Sequence, residues 1–307
     1  MQSVNGEHGS LMDKWYPSCT VCPHRCGVDR ISGQTGICGT DEGIYVASSQ
    51  LHFGEERVLV GRGGSGTIFF ASCNLKCVFC QNSSISMCVH PSQTGRRLNS
   101  GEFSRLVWQL RIQGAENINL VTPTHMGPAV FDVIRGLRAG GMKLPIVYNC
   151  GGYENADFIR DLEGLVDIYM PDIKFGTDEA GSHFTTAEDY FSRCREAVLE
   201  MHRQVGDLSI GPAGTARRGL LVRHLVLPGI EEDAEGKLSS GGMAESDRVI
   251  DFIAEELSRN TYVNIMDQYF PAYQARNYRG IGRRLSPEEH QAVIKYAKYR
   301  GLHRFAG

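Results

Sequence analysis

The sequence lacks several features that would place the chain in other protein classes. It contains no run of about 18 apolar residues, and the stretch before Cys19 lacks the apolar core of a signal peptide. Charged residues make up 22% of the 307 residues, and the net charge is only −3. No internal repeat is present. We therefore expect a cytoplasmic protein with no membrane partner and no nucleic-acid partner.

Cysteine is plentiful, and most of it lies in one part of the sequence. Eight of the ten cysteines fall between Cys19 and Cys88. In a reducing compartment such clustering indicates metal or redox chemistry rather than disulfides. The spacing separates two groups, one near the N-terminus and one after the first strand of the main fold.

The second group follows an apolar run from Thr67 to Phe70, which has the character of a buried strand. Its cysteines, Cys73, Cys77 and Cys80, are spaced C-x3-C-x2-C. Three soft thiolates on one tight loop suit an iron–sulfur cluster better than a closed four-ligand zinc site. Three protein ligands on a 4Fe–4S cluster would leave one iron free to bind another molecule.

The first group consists of Cys19, Cys22, Cys26 and Cys38, within Gly-rich turns. A C-x2-C-x3-C group with a fourth cysteine further on can close a tetrahedral Zn–S4 site. A second iron–sulfur cluster is the competing interpretation, and spacing alone does not separate the two. Zinc is the interpretation that we favour. Residues 1–60 are accordingly predicted to form a small cysteine-rich, metal-binding extension ahead of the main domain at 61–307.

From residue 61 onwards, apolar strands alternate with amphipathic helices. The strand-like runs are 67–70, 117–121, 145–148, 166–170, 220–227 and 262–266. This alternation predicts a parallel sheet with right-handed crossovers. Six units are too few for an eight-unit barrel, so we predict an α/β fold of six units, a (βα)6 partial TIM barrel. A capping box at Ser286 to Glu289 opens its C-terminal helix, and the Gly-rich, charged segments 206–219 and 230–242 are predicted surface loops.

Polar residues stand at or near the carboxyl end of every predicted strand, which is where sites form in parallel α/β folds. Any one of them is weak evidence, because polar residues that leave a strand are usually turn or cap residues. Together with the cysteine loop they predict one pocket. Beyond the cysteines they are Thr122, Thr124, His125, Asn149, Asp172, Lys174, Arg223, His224, Asp267 and Gln268.

The loop CNLKCVFC resembles that of the radical S-adenosylmethionine superfamily in its cysteine spacing, in Phe79 before the last cysteine and in the strand that precedes it. Within that superfamily the chain is most similar to the pyruvate formate-lyase activating enzyme group, and especially to activating-enzyme-like proteins with a cysteine-rich N-terminus. The resemblance covers most of the chain, through segments such as ENINLVTPTH, PIVYNCGGYE, VDIYMPDIKF and LLVRHLVLPG.

The resemblance implies a six-unit partial barrel in which Cys73, Cys77 and Cys80 hold a 4Fe–4S cluster. The open iron would bind S-adenosylmethionine, whose reductive cleavage gives a 5′-deoxyadenosyl radical for hydrogen abstraction. The electron would come from a reductant such as flavodoxin or ferredoxin. No side chain of the protein is assigned a catalytic role of its own.

The resemblance also implies cofactor contacts for individual residues. Asp172 and Lys174 match an Asp-x-Lys that contacts S-adenosylmethionine, and Arg223 matches an arginine near the methionine carboxylate. The activating enzymes hold the methionine amino group with a Gly-Gly-Glu segment after the second strand. Here the sequence Thr-Pro-Thr-His stands in that place, and Gln268 or Tyr269 replaces the histidine of the sixth strand. The predicted cofactor-binding set is Thr122, Thr124, His125, Asn149, Asp172, Lys174, Arg223 and Gln268.

Three functions are weighed on these grounds. The leading one is an activating enzyme that abstracts a hydrogen atom from a backbone glycine of a glycyl radical enzyme. The alternative is an enzyme that forms the same 5′-deoxyadenosyl radical and uses it to modify a small molecule or another peptide. A non-catalytic zinc or iron–sulfur electron-transfer protein is disfavoured, because such a protein has no need of six polar strand ends.

Overall fold

The structure is a computed structural model and describes residues 9–229 and 243–306, so the predicted surface loop at 230–242 lies outside the described residues. The strands are β1 Ile44–His52, β2 Ser65–Phe70, β3 Arg96–Leu98, β4 Ile118–Val121, β5 Ile146–Cys150, β6 Ile168–Pro171, β7 Ser209–Ile210, β8 Ala216–Leu225 and β9 Tyr262–Met266. The helices are α1 Leu11–Trp15, α2 Arg57–Val60, α3 Ser83–Ser86, α4 Ser100–Ile112, α5 Gly127–Ala139, α6 Ala156–Asp161, α7 Asp178–Phe184, α8 Tyr190–Val205, α9 Met243–Phe252 and α10 Pro287–Tyr299.

Six strands pair in parallel, in the order β2, β4, β5, β6, β8 and β9 across one mixed sheet. Their register places Leu120 between Ile68 and Tyr148, and all three side chains are buried. The carboxyl ends of these strands lie at one edge of the sheet, because the strands run in the same direction. The chain therefore has the predicted α/β character, with a mixed sheet of nine strands.

Three further strands pair antiparallel and are absent from the prediction. β1 pairs with β2, β3 pairs with β1, and β7 pairs with the beginning of β8 inside the segment predicted as a loop. β1 is buried from Ile44 to Val46 and exposed from Ser48 to Gln50, with a bulge between these parts. Such a strand lacks a regular alternation of apolar and polar residues, so its periodicity does not reveal it.

The helices follow the predicted apolar stripes. In α4 the residues Phe103, Val107 and Leu110 are buried. α5 ends before a glycine pair, of which Gly141 has a φ of 87°. α10 begins with the predicted capping box, in which the Glu289 N–H donates to Ser286 Oγ at 3.2 Å. None of the described helices is long and apolar enough to cross a bilayer.

The N-terminal segment packs against the main sheet and its helices. Ser10 Oγ donates to Asp132 Oδ2 on α5 at 2.7 Å, and Trp15 Nε1 donates to Asp161 Oδ2 on α6 at 2.8 Å. The Trp15 ring also lies edge-on against Phe158, with 5.5 Å between the ring centroids. The buried residues Leu11, Trp15 and Val21 of this segment belong to the same hydrophobic core as Ile68 and Leu120 of the sheet. A domain boundary near residue 60 stays a prediction.

Helix α4 offers a matched test of this packing. Leu110 is 3% exposed and Ile112 is 82% exposed. We expect Leu110→Ala to lower the free energy of unfolding by about 2–5 kcal/mol, because it removes buried methyl groups and leaves a cavity. The control Ile112→Ala should change it by less than about 0.5 kcal/mol. Urea unfolding followed by circular dichroism measures both, and equal losses would contradict the packing of α4.

Candidate metal and cofactor site

The loop that follows β2 carries the three cysteines and has an unusual backbone. Ser72 has a φ of 67° and Lys76 a φ of 50°, a region that residues other than glycine rarely adopt. The Leu75 N–H points at Cys73 Sγ, 3.3 Å away. Lys76 Nζ fastens the loop by donating to Ser72 Oγ at 3.1 Å and to the Ser86 carbonyl at 2.8 Å.

The three thiols differ in burial. Cys77 is buried, whereas Cys73 and Cys80 are half-buried. Burial raises the pKa of the Cys77 thiol, and the ammonium group of Lys174 partly offsets this effect. A buried thiolate thus needs a positive partner, which cluster iron would supply. The backbone N–H aimed at Cys73 is the kind of donor that tunes a cluster thiolate.

The thiols do not surround a single point. Within residues 9–229 and 243–306, no three His, Cys, Asp or Glu side chains form a group that could hold one metal ion. In a 4Fe–4S cluster each thiolate binds a different iron, so its ligands lie farther apart than those of one ion. Three soft thiolates on one loop fit such a cluster.

Asp172 and Lys174 lie beside the cysteine loop, as the sequence predicts for the end of the fourth parallel strand. Lys174 Nζ donates to Asp172 Oδ2 at 2.5 Å. Burial alone would lower the pKa of Lys174, but the carboxylate of Asp172 and the thiolate of Cys77 raise it, so the side chain stays cationic. Asp172 Oδ1 is buried and has no hydrogen-bond partner within the described part of the chain.

Arg223 has partners that the sequence did not reveal. Its guanidinium group bonds Glu56 through Nε at 2.8 Å and through Nη2 at 2.6 Å, and it also contacts Glu55. Asn264 Nδ2 donates to Glu56 Oε1 at 2.7 Å and Asn119 Nδ2 to Glu55 Oε1 at 3.1 Å. Burial raises the pKa of Glu56, but the bonds from Arg223 and Asn264 outweigh burial and lower it overall. Two acidic side chains thus hold Arg223.

The residues after the second parallel strand point in different directions. Thr124 Oγ1 donates to Glu154 Oε1 at 2.7 Å, whereas His125 Nε2 donates to the Ala71 carbonyl at 2.8 Å, behind the cysteine loop. Burial lowers the pKa of His125 to about 3, so its ring is neutral. Thr122 has a φ of 58°, and its backbone N–H bonds the Asn149 carbonyl at 2.7 Å.

The last predicted residue lies further out. Gln268 is exposed, and its backbone carbonyl accepts a hydrogen bond from Gln81 Nε2 at 3.1 Å, next to Cys80. The structure thus brings Asp172 and Lys174 to the cysteine loop directly and Gln268 to its rim. It directs the side chains of Thr124, His125 and Arg223 to other protein groups. Their assignment to the cofactor stays a prediction.

Glu154 is a site residue that the sequence analysis missed. The side chain is 1% exposed, and it accepts hydrogen bonds from Thr124 and from the Tyr148 hydroxyl, the latter at 2.8 Å. Burial raises its pKa from 4.5 to about 7. The available signal was the pair Gly151 and Gly152, which precedes Tyr153 and Glu154. Gly152 has a φ of 83°, and a Cβ added there would lie 2.8 Å from Cys194 Sγ, so this turn requires glycine. The turn directs the Glu154 side chain inwards.

The four N-terminal cysteines line one small cavity, together with His24, Arg30 and Asn74. Its volume is about 10 Å³, roughly the space of one water molecule on the same measure. Cys19 and Cys38 are buried, and Arg30 Nη1 lies 3.9 Å from Cys19 Sγ. No disulfide joins any cysteine of the described residues, which include all ten. The four cysteines thus line one space, and their binding of a metal stays a prediction.

The raised pKa of Glu154 predicts a pH dependence of stability. The folded protein keeps the carboxyl protonated up to about pH 7, whereas the same carboxyl in the unfolded chain ionises near pH 4.5. The contribution of Glu154 to the unfolding free energy is therefore fully present below pH 4.5 and is lost as the pH rises through 7. Glu154→Gln imitates the protonated form. We expect the unfolding free energy of the wild type minus that of Glu154→Gln to fall by about 3 kcal/mol between about pH 4 and pH 8. A difference that stays constant across this range, in urea titrations, would contradict a buried neutral carboxyl.

Comparison with solved structures finds radical S-adenosylmethionine enzymes. The methyltransferase TsrM from Kitasatospora setae is 14% identical with a TM-score of 0.46, and the match covers 67% of this chain and 37% of TsrM. SuiB from Streptococcus suis, solved with S-adenosylmethionine bound, is 12% identical with a TM-score of 0.49, covering 77% and 48%. The cobalamin-dependent radical enzyme OxsB is 11% identical with a TM-score of 0.41, covering 77% and 31%. The chain thus spans less than half the length of each. TsrM and OxsB are described as radical S-adenosylmethionine proteins, and the cysteine loop resembles the motif of that superfamily.

Comparison of sequences gives a nearer relative. No protein-family model matches the chain. The uncharacterised protein MJ0674 of Methanocaldococcus jannaschii is 32% identical over 288 residues, which is 92% of this chain and 75% of that protein. The chain belongs to the same family as MJ0674.

Proposed function

We propose that the protein is a radical S-adenosylmethionine enzyme. The observation that carries the proposal is the position of Cys73, Cys77 and Cys80. They follow the first of six parallel strands at the edge of the sheet where Asp172 and Lys174 also lie. In this proposal the six parallel strands and their helices are a six-unit partial barrel. The three thiolates bind a 4Fe–4S cluster that, with S-adenosylmethionine, supplies a 5′-deoxyadenosyl radical for hydrogen abstraction.

The residues around the loop have distinct tasks in this proposal. Phe79 is buried and packs edge-on against Phe175 and Tyr269, each with 5.9 Å between ring centroids, so an apolar wall excludes water behind the cysteines. Lys174 and Asp172 present a cation and an anion to the cofactor. Thr122, Thr124, His125, Asn149, Arg223 and Gln268 complete the proposed cofactor pocket.

The assignment can be tested with two cysteines of the same segment. After anaerobic reconstitution with iron and sulfide, the wild type should form 5′-deoxyadenosine from S-adenosylmethionine and dithionite. Cys77→Ala should lose both the cluster absorbance and this product, because a cluster ligand is gone. Cys88→Ala removes a half-buried thiol outside the motif and should keep both. An intact wild-type cluster that yields no 5′-deoxyadenosine would refute the proposal and leave the electron-transfer protein as the better account.

The substrate of the proposed radical is a backbone glycine of a glycyl radical enzyme. The support is the similarity of the cysteine loop and of the Asp172 and Lys174 segment to activating enzymes. The alternative is a small molecule or another peptide, which the Thr-Pro-Thr-His sequence after β4 favours because it departs from those enzymes. A glycyl radical signal in electron paramagnetic resonance, on a partner chain incubated with the enzyme, separates the two. The electron would come from a flavodoxin or ferredoxin in the cytoplasm.

The N-terminal cysteines are proposed to hold one zinc ion rather than a second cluster. All four line one small cavity, and four thiolates are the complete ligand set of a tetrahedral zinc site. Metal binding would draw the thiols closer together than they lie here, since no metal-holding group is present among the described residues.

Metal analysis of the full chain tests this assignment. We expect the wild type to contain one equivalent of zinc in addition to the reconstituted iron, and Cys26→Ser to lose the zinc, because a Zn–S4 site needs all four thiolates. Cys194→Ser, which changes a buried thiol of α8, is the control and should keep both metals. A wild type that contains no zinc and more iron than one 4Fe–4S cluster requires would indicate a second cluster.

A further inference from the structure

We infer that residues 19–41, here called the N-terminal knuckle, hold the loop of Cys73 in its cluster-binding conformation. The inference rests on the proposed function and adds to it a set of positioning residues. The first contact is made by His24, whose Nε2 donates to the Asn74 carbonyl at 2.8 Å. A carbonyl can only accept, so Nε2 carries the hydrogen. Asn74 follows Cys73 directly, and it also lines the knuckle's cysteine cavity.

A second contact holds the other side of Cys73. Ser72 Oγ donates to the carbonyl of Cys38, a knuckle residue, at 2.5 Å. Ser72 has a φ of 67°, and such a conformation costs of order 1 kcal/mol, so it persists only where its surroundings enforce it. The hydroxyl bond to Cys38 is one of these enforcing contacts. Both neighbours of Cys73 in sequence are thus bonded to the knuckle.

A third contact reaches the loop through one intermediate. Arg30 is 1% exposed, and its Nη1 donates to the His125 carbonyl at 2.6 Å, while its Nε donates to the Asp41 carbonyl at 2.9 Å. His125 in turn donates to the carbonyl of Ala71. The knuckle therefore contacts residues 71, 72 and 74, directly or through His125.

The consequence is a coupling between the two cysteine groups. His24 lies between Cys22 and Cys26, so the conformation of the knuckle sets the position of its ring. A loosened knuckle would free Asn74 and allow Cys73 to leave its iron, since a half-buried ligand is the one most open to exchange with solvent. His24 acts here as a positioning residue, through Asn74, and does not touch the cluster.

The test is the lifetime of the reconstituted cluster in the full-length protein. With a ferrous chelator present and oxygen excluded, His24→Ala should lose its cluster roughly two- to ten-fold faster than the wild type, the range expected for one hydrogen bond. His24→Gln can donate from the same position and should restore most of the lifetime. His202 lies on α8, away from the loop. His202→Ala removes one histidine hydrogen bond, to Asp207, and should behave as the wild type. The electron paramagnetic resonance spectrum of the reduced cluster should change in His24→Ala and not in His202→Ala.

Ser72→Ala gives a second measure that does not depend on the folding of the knuckle variants, and it should shorten the lifetime likewise. Equal lifetimes and spectra in the wild type, His24→Ala and Ser72→Ala would overturn the inference while leaving the radical enzyme intact. An equal loss in His24→Gln and His24→Ala would also overturn it, because the hydrogen bond would then not be the cause. A wild type that binds no cluster is a failure of the proposed function instead.

Discussion

The turn at Ser72 is the constraint on which the rest of the site depends. The chain leaves a buried strand and turns at Ser72, whose φ of 67° lies in a region that a serine rarely adopts. Contacts from the surrounding structure must therefore hold this conformation. The Ala71 N–H bonds the Tyr45 carbonyl at 3.0 Å, and the Ser72 N–H bonds the Ile85 carbonyl at 2.8 Å. These partners lie on β1 and α3, on either side of the loop in sequence. The cysteine loop is therefore shaped by the segments around it as much as by its own residues.

Parallel pairing supplies the other half of the arrangement. Because six strands run in one direction, residues as far apart in sequence as Phe70 and Met266 arrive at one edge of the sheet. Asp172 leaves the fourth of these strands and continues the ladder by bridging to Arg223 on β8. The Ile173 N–H also bonds the Arg223 carbonyl, at 2.8 Å. The position of Lys174 beside Cys77 is thus set by backbone pairing rather than by a flexible loop.

The sequence predicted the parts of the fold that repeat a simple pattern. The six parallel strands contain near-continuous apolar runs, and the cysteine loop is recognised from its spacing, from Phe79 and from the strand before it. β1 and β7 were not predictable in the same way, since one changes from buried to exposed along its length and the other has two exposed residues.

In the site, pairings between distant polar residues were hidden for a related reason. The local sequence does not show that Glu55 and Glu56 contact Arg223, more than 160 positions away, or that Glu154 contacts Thr124.

The charge balance that these pairings create bears on the proposed cofactor. Near Arg223 and Lys174, three carboxylates face two cations, and Asp172 Oδ1 has no donor among the described residues. An unpaired buried acceptor costs about 1–3 kcal/mol, which an incoming donor would recover. S-adenosylmethionine carries an ammonium group, a sulfonium and a carboxylate, a net charge of +1, so a pocket with one excess negative charge and a free acceptor suits it better than an anionic ligand.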